Sequence, residues 1–278
     1  MNLWSFFSQF LLVYVGLTVI IYFMSDFAIF PVPKASYTDT AQIFKLTTQD
    51  GKKISALYLK NPLAKYTILY SHGNGEDLGS LLPILQQYPR HGFSIFAYDY
   101  HGYGTSEGSP SENNTYQDIN AAYQYLTEDQ KIPAQQIILY GRSLGSGPAV
   151  DLATRVPIAG IILESPLLTA FRVITRIPLL PVDKYRNDKK ISKIKRPIFI
   201  MHSKKDETIA FGQGYQLYEL ANPPKKFWEI PETTHNDIIE ISGEKYWENL
   251  QAFVDSLDSA RDSAEERSQP ATSDVKVN

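Results

Sequence analysis

The sequence of 278 residues contains no cysteine. The chain therefore forms no disulfide, offers no thiolate ligand to a metal ion and has no cysteine nucleophile. A strong net charge is also missing, because 27 Lys and Arg residues nearly balance 30 Asp and Glu residues. The resulting net charge of −3 gives no reason to expect a nucleic-acid partner. A hydrophobic content of 43% is typical of a globular protein with one large core.

Charged side chains are absent from the N-terminus until Asp26, and the run from Leu3 to Met24 is mostly apolar. About 20 apolar residues cross the hydrocarbon core of a bilayer, so we predict a single-pass membrane anchor at residues 1–30. A cleaved signal peptide is an alternative, but the segment lacks an initial Lys or Arg and a small-residue cleavage site. A buried core helix is a further alternative. The first lysine, Lys34, follows the segment, which weakly favours a cytoplasmic location for the rest of the chain.

The pattern of apolar residues predicts a domain at residues 38–257. Alternating segments at 42–48 and 53–60 flank Asp50-Gly51 and predict a β-hairpin. Short apolar runs separated by helical segments follow, and they predict βαβ units with a largely parallel sheet. The runs are Tyr66–Tyr70, Phe93–Tyr98, Gln136–Tyr140, Ile158–Leu163, Pro197–Met201 and Lys226–Ile230. The helical segments lie near 79–90, 115–129, 144–155, 211–221 and 243–257. The polar composition of residues 258–278 predicts a disordered tail.

One serine lies where a nucleophile is expected. Gly141-Arg142-Ser143-Leu144-Gly145 follows an apolar run and precedes a segment rich in small residues. In a strand–G-x-S-x-G–helix turn the serine backbone is strained and the hydroxyl rises above the sheet, while the glycines let strand and helix approach. The N-terminus of the helix directs its N–H groups toward the reacting atom. The motif predicts Ser143 as a nucleophile.

The base and the acid are predicted from their positions after the serine. In a triad built on a nucleophile elbow, the serine comes first along the chain, the acid second and the histidine third. Only His202 and His235 follow Ser143, and His235 lies in a polar loop after the last apolar run, so it is the predicted base. Asp206 follows the preceding run and is the predicted acid, because its carboxylate can orient the imidazole and stabilise its cation. Glu164, at the end of an earlier run, is the alternative acid.

Backbone N–H groups are expected to form an oxyanion hole. Leu144 directly follows the nucleophile and supplies the first donor. The loop after the first parallel strand supplies the second donor. The N–H of Asn74 is the candidate, and Gly73 allows the substrate to approach the backbone closely. This loop lacks the G-K-[ST] of a phosphate loop, and H-E-x-x-H and matched metal-ligand pairs are also missing. We therefore expect neither a metal ion nor an organic cofactor.

The motifs in this order resemble the α/β-hydrolase superfamily. More narrowly, they resemble the small membrane-anchored α/β-hydrolase-domain proteins, a branch that includes protein depalmitoylases and lies near the serine-aminopeptidase-like hydrolases. The resemblance rests on His72-Gly73-Asn74-Gly75, the segment 99–108, Gly141-Arg142-Ser143-Leu144-Gly145-Ser146-Gly147, Glu164-Ser165-Pro166, Lys205-Asp206-Glu207 and His235-Asn236-Asp237. It implies an α/β fold with a mostly parallel twisted sheet of about eight strands, helices on both faces and a short lid insertion at about 165–195.

The resemblance also implies serine hydrolase activity with Ser143, Asp206 and His235 as the triad. Two positions depart from the family pattern, because His101 stands where Arg is usual and Ser203 where Gly is usual. Neither belongs to the triad, so we expect the departures to affect loop conformation and substrate fit.

The lid and the triad together predict the substrate class. The first half of the lid is apolar and its second half is basic, which predicts a cover over an acyl pocket with a basic rim toward anionic headgroups. A core-packed segment followed by a solvated basic loop is the alternative. The basic residues are Lys184, Arg186, Lys189, Lys190, Lys193 and Lys195. We expect an acyl ester or thioester, as for a carboxylesterase or thioesterase. An aminopeptidase-like amide hydrolase and an inactive membrane-anchored scaffold are the alternatives, and the acyl length and oligomeric state stay open.

Overall fold

A single β-sheet forms the centre of residues 3–268, which are the residues that this computed structural model describes. Its eight strands are β1 (Ile43–Thr47), β2 (Lys53–Leu59), β3 (Thr67–Ser71), β4 (Ser94–Tyr98), β5 (Ile137–Arg142), β6 (Gly160–Glu164), β7 (Ile198–Ser203) and β8 (Lys225–Ile230). Their order across the sheet is β1-β2-β4-β3-β5-β6-β7-β8. Because β5 lies near the middle of the sheet, the turn that follows it is flanked by loops from both sides.

The strand directions agree with the expected α/β architecture. β1 and β2 pair antiparallel, as do β2 and β4, and the other neighbours pair parallel. Gly51 closes the first hairpin with φ of +81°, a conformation that glycine adopts without strain. Every predicted run and both hairpin segments lie within two residues of a strand. The predicted mostly parallel sheet of about eight strands is confirmed.

Helices cover both faces of the sheet. They are α1 (Leu3–Ile29), α2 (Leu78–Leu85), α3 (Gln87–Arg90), α4 (Glu112–Gln124), α5 (Ser146–Ala153), α6 (Ala170–Thr175), α7 (Asn187–Lys190), α8 (Phe211–Leu220), α9 (Ile238–Ser242) and α10 (Glu244–Ser268). Leu139 and Ile161 belong to the core formed with α4, α5 and α8, whereas Ile138 and Ile162 belong to the core formed with α2 and α10. Because both faces are buried, the central strands are apolar at successive positions.

Helix α1 is apolar and mostly exposed. Its segment Phe7–Ile29 has a mean hydropathy of 2.0 and is long enough to cross a bilayer core. A core helix would be mostly buried, so that alternative does not fit the exposed side chains of α1. A signal sequence passes the same test of length and hydropathy, and the membrane anchor therefore stays a prediction.

The predicted lid, residues 165–195, connects β6 to β7 and lies against α1. The Lys184 ammonium lies 2.6 Å from Asp26 Oδ1, and the Tyr14 hydroxyl donates to the Leu179 carbonyl oxygen at 2.9 Å. These contacts join the lid to two turns of α1 that are far apart along the helix.

Half of the predicted basic rim is paired within the chain. Besides Lys184, Arg186 pairs with Asp188 at 2.8 Å and Lys190 pairs with Asp151 at 2.7 Å. The charge left to face an anionic surface is therefore smaller than the sequence predicts.

The predicted start of the disordered tail differs from the structure. Helix α10 continues through residue 258 to Ser268, so the expected domain boundary falls inside a helix. The Asp258 carboxylate accepts a hydrogen bond from the Tyr66 hydroxyl at 2.5 Å and lies 2.5 Å from Lys65 Nζ. Polar composition does not distinguish an exposed helix from a disordered segment. Residues 269–278 of the predicted tail lie outside the described residues.

Candidate active site

The turn after β5 holds Ser143 in a left-handed backbone conformation. Its φ is +51°, which costs a non-glycine residue conformational energy and is found mainly at functional turns. A 3₁₀ turn, Ser143–Gly145, then leads directly into α5. An added Cβ at Gly145 would overlap the carbonyl oxygen of Ser71 at the end of β3. The glycine therefore allows α5 to pack against the neighbouring strand, and the turn presents Ser143 at the edge of the sheet.

Ser143, His235 and Asp206 form one chain of hydrogen bonds. His235 Nε2 lies 3.0 Å from Ser143 Oγ, and His235 Nδ1 lies 2.7 Å from Asp206 Oδ2. An ionised carboxylate only accepts hydrogen bonds, so Nδ1 carries the proton and Nε2 accepts from the serine hydroxyl. The structure thus brings the three residues that the sequence singles out into contact, although Ser143 and His235 are 92 positions apart.

Asp206 is held by donors from two sides. Its Oδ1 accepts from the backbone N–H groups of Thr208 at 3.0 Å and Ile209 at 2.7 Å, and His202 Nε2 lies 3.2 Å from its Oδ2. Burial alone would raise the pKa of Asp206. The hydrogen bonds from His202 and His235, the electrostatic attraction of His235 and the Ile209 N–H outweigh burial and hold this pKa well below its usual value. The carboxylate is therefore charged at neutral pH and orients His235.

Arg142 supports the site from beneath Ser143. Its Nε donates to Glu164 Oε1 at 3.0 Å, and its Nη2 donates to the His235 carbonyl oxygen at 3.1 Å and to Asn236 Oδ1 at 2.9 Å. The Tyr140 hydroxyl donates to the other oxygen of Glu164. Glu164, the alternative acid, therefore binds Arg142 and Tyr140, whereas Asp206 contacts the His235 ring.

The loop after β3 joins the same network through Glu76. The Glu76 carboxylate binds Nη1 of the buried guanidinium and accepts from the Gly73 N–H at 2.7 Å. Asn74 is fixed through its side chain, which accepts from the Tyr103 hydroxyl at 2.6 Å and donates to the Ile29 carbonyl oxygen at 2.5 Å. The Gly73 N–H is thus occupied, whereas the Asn74 N–H has no hydrogen-bond partner among residues 3–268.

A cavity of about 220 Å³ lies above Ser143. Asn74 and Leu144, the predicted oxyanion-hole residues, line it. Helix α1 and the lid supply apolar lining residues, which are Ala28, Ile29, Leu167, Ala170, Val173 and Ile174. Among the described residues, no Asp, Glu, Lys or Arg lines this cavity. Within 3–268 there is also no group of three or more His, Asp and Glu side chains placed to hold a metal ion. The cavity suits an apolar group next to the serine hydroxyl.

Comparison with known proteins identifies the family. A family described as "Serine aminopeptidase, S33" matches residues 62–181. Alpha/beta hydrolase domain-containing protein 17B of Xenopus tropicalis is 40% identical over 220 residues, which are 78% of this chain and 76% of the relative. The human 17B protein is 39% identical over the same shares of both chains. The chain belongs to the α/β-hydrolase domain-containing protein 17 family. This confirms the resemblance to α/β-hydrolase-domain proteins of the depalmitoylase-like branch.

Solved structures share the fold of this α/β-hydrolase-domain protein. The Pyrococcus furiosus esterase Pf2001 superposes with a TM-score of 0.70 at 18% identity and covers 81% of this chain and 98% of its own. The α/β hydrolase GrgF from Penicillium sp. sh18 gives a TM-score of 0.64 at 16% identity and covers 77% of this chain and 98% of its own. At these identities the likeness shows the fold alone.

Two features of this hydrolase-domain site were missed by the sequence reasoning. The first is the role of Arg142. The sequence does carry a signal for it, because a charged residue at the end of a buried apolar strand needs partners. The second is the contribution of Ala28 and Ile29 of α1 to the cavity, for which the sequence gives no signal. The Nε2–H of His202, near the end of β7, is shared between the Ile209 carbonyl oxygen at 2.9 Å and Asp206 Oδ2 at 3.2 Å.

Replacement of Asp206 by asparagine tests the charge state of this carboxylate. An amide N–H₂ or a neutral oxygen would face the His235 N–H, so kcat for an ester is expected to fall about 10⁴-fold. The native pKa of Asp206 is depressed, so its ionised form stabilises the fold above the unfolded pKa of about 4, and this contribution is lost as pH falls further. Chemical unfolding should therefore show a deficit of about 1–3 kcal/mol at pH 7 that shrinks below pH ~4. A deficit of the same size at all pH values would contradict this explanation.

Proposed function

We propose that this α/β-hydrolase-domain protein is a membrane-anchored serine hydrolase that cleaves acyl esters or thioesters. The hydrogen-bonded chain from Ser143 through His235 to Asp206 carries the proposal. The apolar cavity above the serine supports an acyl substrate. The Pyrococcus furiosus protein Pf2001, which shares the fold, is itself an esterase. The exposed apolar helix α1 supports the anchor, and Lys34 favours the cytoplasmic side for the domain.

In the first half of the reaction the acyl group is transferred to the enzyme. Ser143 Oγ attacks the carbonyl carbon while its proton passes to His235 Nε2, and Asp206 stabilises the imidazolium that results. The carbonyl oxygen becomes an oxyanion, which the N–H groups of Leu144 and Asn74 stabilise. The positive end of the α5 dipole adds to this stabilisation. The intermediate then collapses, and the alcohol or thiol leaves with the proton from His235.

In the second half water releases the acyl group. His235 removes a proton from the water, whose oxygen attacks the acyl-enzyme carbonyl, and the same oxyanion hole holds the second intermediate. When that intermediate collapses, His235 returns the proton to Ser143 Oγ and the carboxylic acid is released. None of these steps requires a redox change, and the acid–base work is done by one imidazole.

Cleavage of an amide is the enzymatic alternative, because the family description that matches residues 62–181 names an aminopeptidase. An aminopeptidase must recognise a free ammonium group, which an acidic side chain near the serine would do. No acidic side chain among the described residues lines the cavity. This favours ester and thioester substrates. An inactive scaffold would have no chemical need for the aligned imidazole and carboxylate.

A substrate panel tests the proposal. The full chain in detergent is expected to react with a fluorophosphonate probe at Ser143 and to hydrolyse p-nitrophenyl esters and acyl-CoA thioesters. Aminoacyl anilides should be cleaved with a kcat/KM at least tenfold lower, since amides have poorer leaving groups. Absence of labelling together with absence of ester hydrolysis would favour the scaffold, and faster anilide cleavage would favour the peptidase.

A further inference from the structure

A larger cavity, of about 570 Å³, lies between the helices α2 and α3 on one side and α9 and α10 on the other. Its volume is within the range of about 300–1,000 Å³ that is typical of small-molecule sites. It shares no lining residue with the cavity above Ser143, and neither His235 nor Asp206 lines it. Its inner end reaches Arg142 on β5, and its outer end is at the exposed residue Glu240. We call it the rear cavity.

Negative charge is in excess around the rear cavity. Among residues 3–268, its charged lining residues are one guanidinium, that of Arg142, and three carboxylates, so the lining has a net charge of −2. The carboxylates belong to Glu76, Glu164 and Glu240. Arg142 pairs with the first two, whereas Glu240 forms no ion pair within the described chain. A cleft lined mainly by charges of one sign attracts a ligand of the opposite sign.

Two buried polar side chains that line the rear cavity lack hydrogen-bond partners. Tyr70 and Trp247 are 1% and 6% exposed, and neither the Tyr70 hydroxyl nor the Trp247 indole N–H is hydrogen-bonded to any part of the chain that the structure describes. Tyr70 pairs with Tyr140 in the register of β3 and β5, and their rings stack with centroids 4.9 Å apart. The Tyr70 hydroxyl therefore lies on the same side as the Tyr140 hydroxyl, which binds Glu164. Buried polar groups are nearly always hydrogen-bonded, so two unpaired groups at one cavity indicate a polar ligand.

Arg142 does not make the rear cavity a site for anions. Its Nε and Nη1 donate to Glu164 and Glu76. Its Nη2 donates to the His235 carbonyl oxygen and to Asn236 Oδ1. Every nitrogen of the guanidinium is thus engaged with an acceptor of the protein, and the negative charge of the lining would repel an anion.

The negative lining does not form a metal site either. A metal ion requires several ligands close together, and no group of three or more His, Asp and Glu side chains in the described chain is placed to supply them. An organic cation has no such requirement, because its charge is spread over a larger volume. Its carbon atoms would contact the apolar part of the lining, which includes Ile84, Ile238 and Ile239. The aromatic rings of Tyr70 and Trp247 also favour an organic cation.

We propose that the rear cavity binds a small organic cation, an alkylammonium compound that also carries a hydroxyl or carbonyl oxygen. The carboxylates of the lining attract the ammonium group, and the Tyr70 hydroxyl and the Trp247 N–H donate to the oxygen of the ligand. Such a ligand would contact Arg142 and Asn236, which adjoin Ser143 and His235 in the chain. Binding requires no turnover, so this proposal does not depend on the proposed hydrolase function.

A pair of ligands that differ only in charge tests the chemistry of the site. Choline is the probe, and 3,3-dimethyl-1-butanol, which has the same shape without the charge, is the matched control. Dissociation constants are measured by saturation-transfer NMR on the full chain in dodecyl maltoside, at low and constant ionic strength. Contacts to charged groups contribute about 1.5–3 kcal/mol, so we expect choline to bind roughly tenfold more tightly than the alcohol, or better. Choline that does not bind, or that binds no more tightly than the alcohol, overturns the proposal.

Three variants test whether choline binds in the rear cavity. Tyr70→Phe removes only the unpaired hydroxyl and should weaken choline binding about two- to tenfold. Glu240→Gln removes the unpaired charge at the outer end and should weaken it about two- to fivefold. Glu128→Gln is the matched control, because Glu128 is exposed and does not line the cavity, and it should leave the affinity within twofold of wild type.

Thermal unfolding separates a lost contact from a damaged fold. The Tyr70 hydroxyl makes no hydrogen bond to the described chain, so Tyr70→Phe should unfold at the wild-type temperature when no ligand is present. Weaker choline binding by this stable variant supports the site. An unchanged affinity in both Tyr70→Phe and Glu240→Gln, or an equal loss in Glu128→Gln, overturns it.

Discussion

Replacement of Ser143 by alanine is expected to lower kcat/KM for p-nitrophenyl esters by about 10⁴–10⁶-fold and to abolish fluorophosphonate labelling. The hydroxyl is the atom that would form the covalent bond, and neither His235 nor Asp206 can replace it. Serine and alanine both carry a Cβ, so the strain at φ +51° is the same and the fold should persist. Ester hydrolysis, intact-protein mass spectrometry and thermal unfolding of the full chain measure the three outcomes.

The control for this loss is Ser256→Ala. Ser256 is exposed on α10, and its hydroxyl donates only to a carbonyl oxygen of its own helix. This variant should retain wild-type labelling and turnover. If Ser143→Ala kept more than about one hundredth of the wild-type activity, the nucleophile would have to be another residue, because triad serines contribute far more than this.

Replacement of Arg142 by methionine should have the largest effect on stability. The guanidinium is buried and pairs with both Glu76 and Glu164. Burial alone would lower the pKa of Arg142, but these two carboxylates raise it above its usual value, so the residue is always charged. Removing one member of a buried ionic cluster leaves the others uncompensated, and we expect the free energy of unfolding to fall by about 3–5 kcal/mol. Urea unfolding of the detergent-solubilised chain measures this loss.

Activity should fall as well, because Arg142 holds the loop that carries the His235 ring. Two hydrogen bonds, to the His235 carbonyl oxygen and to Asn236, are lost, and kcat should fall at least tenfold with a smaller change in KM. Arg155→Met is the matched control, since the Arg155 side chain is 43% exposed where it pairs with Asp151, and surface pairs contribute about 0–1 kcal/mol. If Arg142→Met does not fold, combining it with Glu76→Gln and Glu164→Gln removes the unpaired charges. That triple variant should recover stability but not kcat, and recovery of both would refute the positioning role.

The sheet could be predicted from the sequence because its strands are buried on both faces. Runs such as Ile158–Leu163 are apolar at successive positions, and a turn residue or a polar cluster ends each of them. The order of the polar residues along the chain then indicated which loops meet, since the carboxyl ends of parallel strands share one edge. Ser143, Asp206 and His235 could be singled out on this basis, and the structure places them within hydrogen-bond distance of one another.

The contacts around Ser143, His235 and Asp206 could not be predicted in the same way. The partners of Arg142 come from the end of β6 and from two loops, and no local pattern specifies that Glu76 rather than Glu164 reaches the Gly73 N–H. The boundary predicted at residue 258 falls inside α10, where contacts to Tyr66 and Lys65 hold Asp258 on the domain. Tertiary contacts of polar side chains leave no periodic pattern in the sequence. Composition alone therefore does not show which polar segments are held on the domain.

The hydrogen bond between the Asn74 side chain and the Ile29 carbonyl oxygen joins the last turn of α1 to the loop beside Ser143. Removal of residues 1–30 would therefore change the surroundings of Ser143. It would remove Ala28 and Ile29 from the wall above the serine and leave the Asn74 amide without this partner. Helix α1 and the hydrolase fold therefore share one wall of the cavity above Ser143.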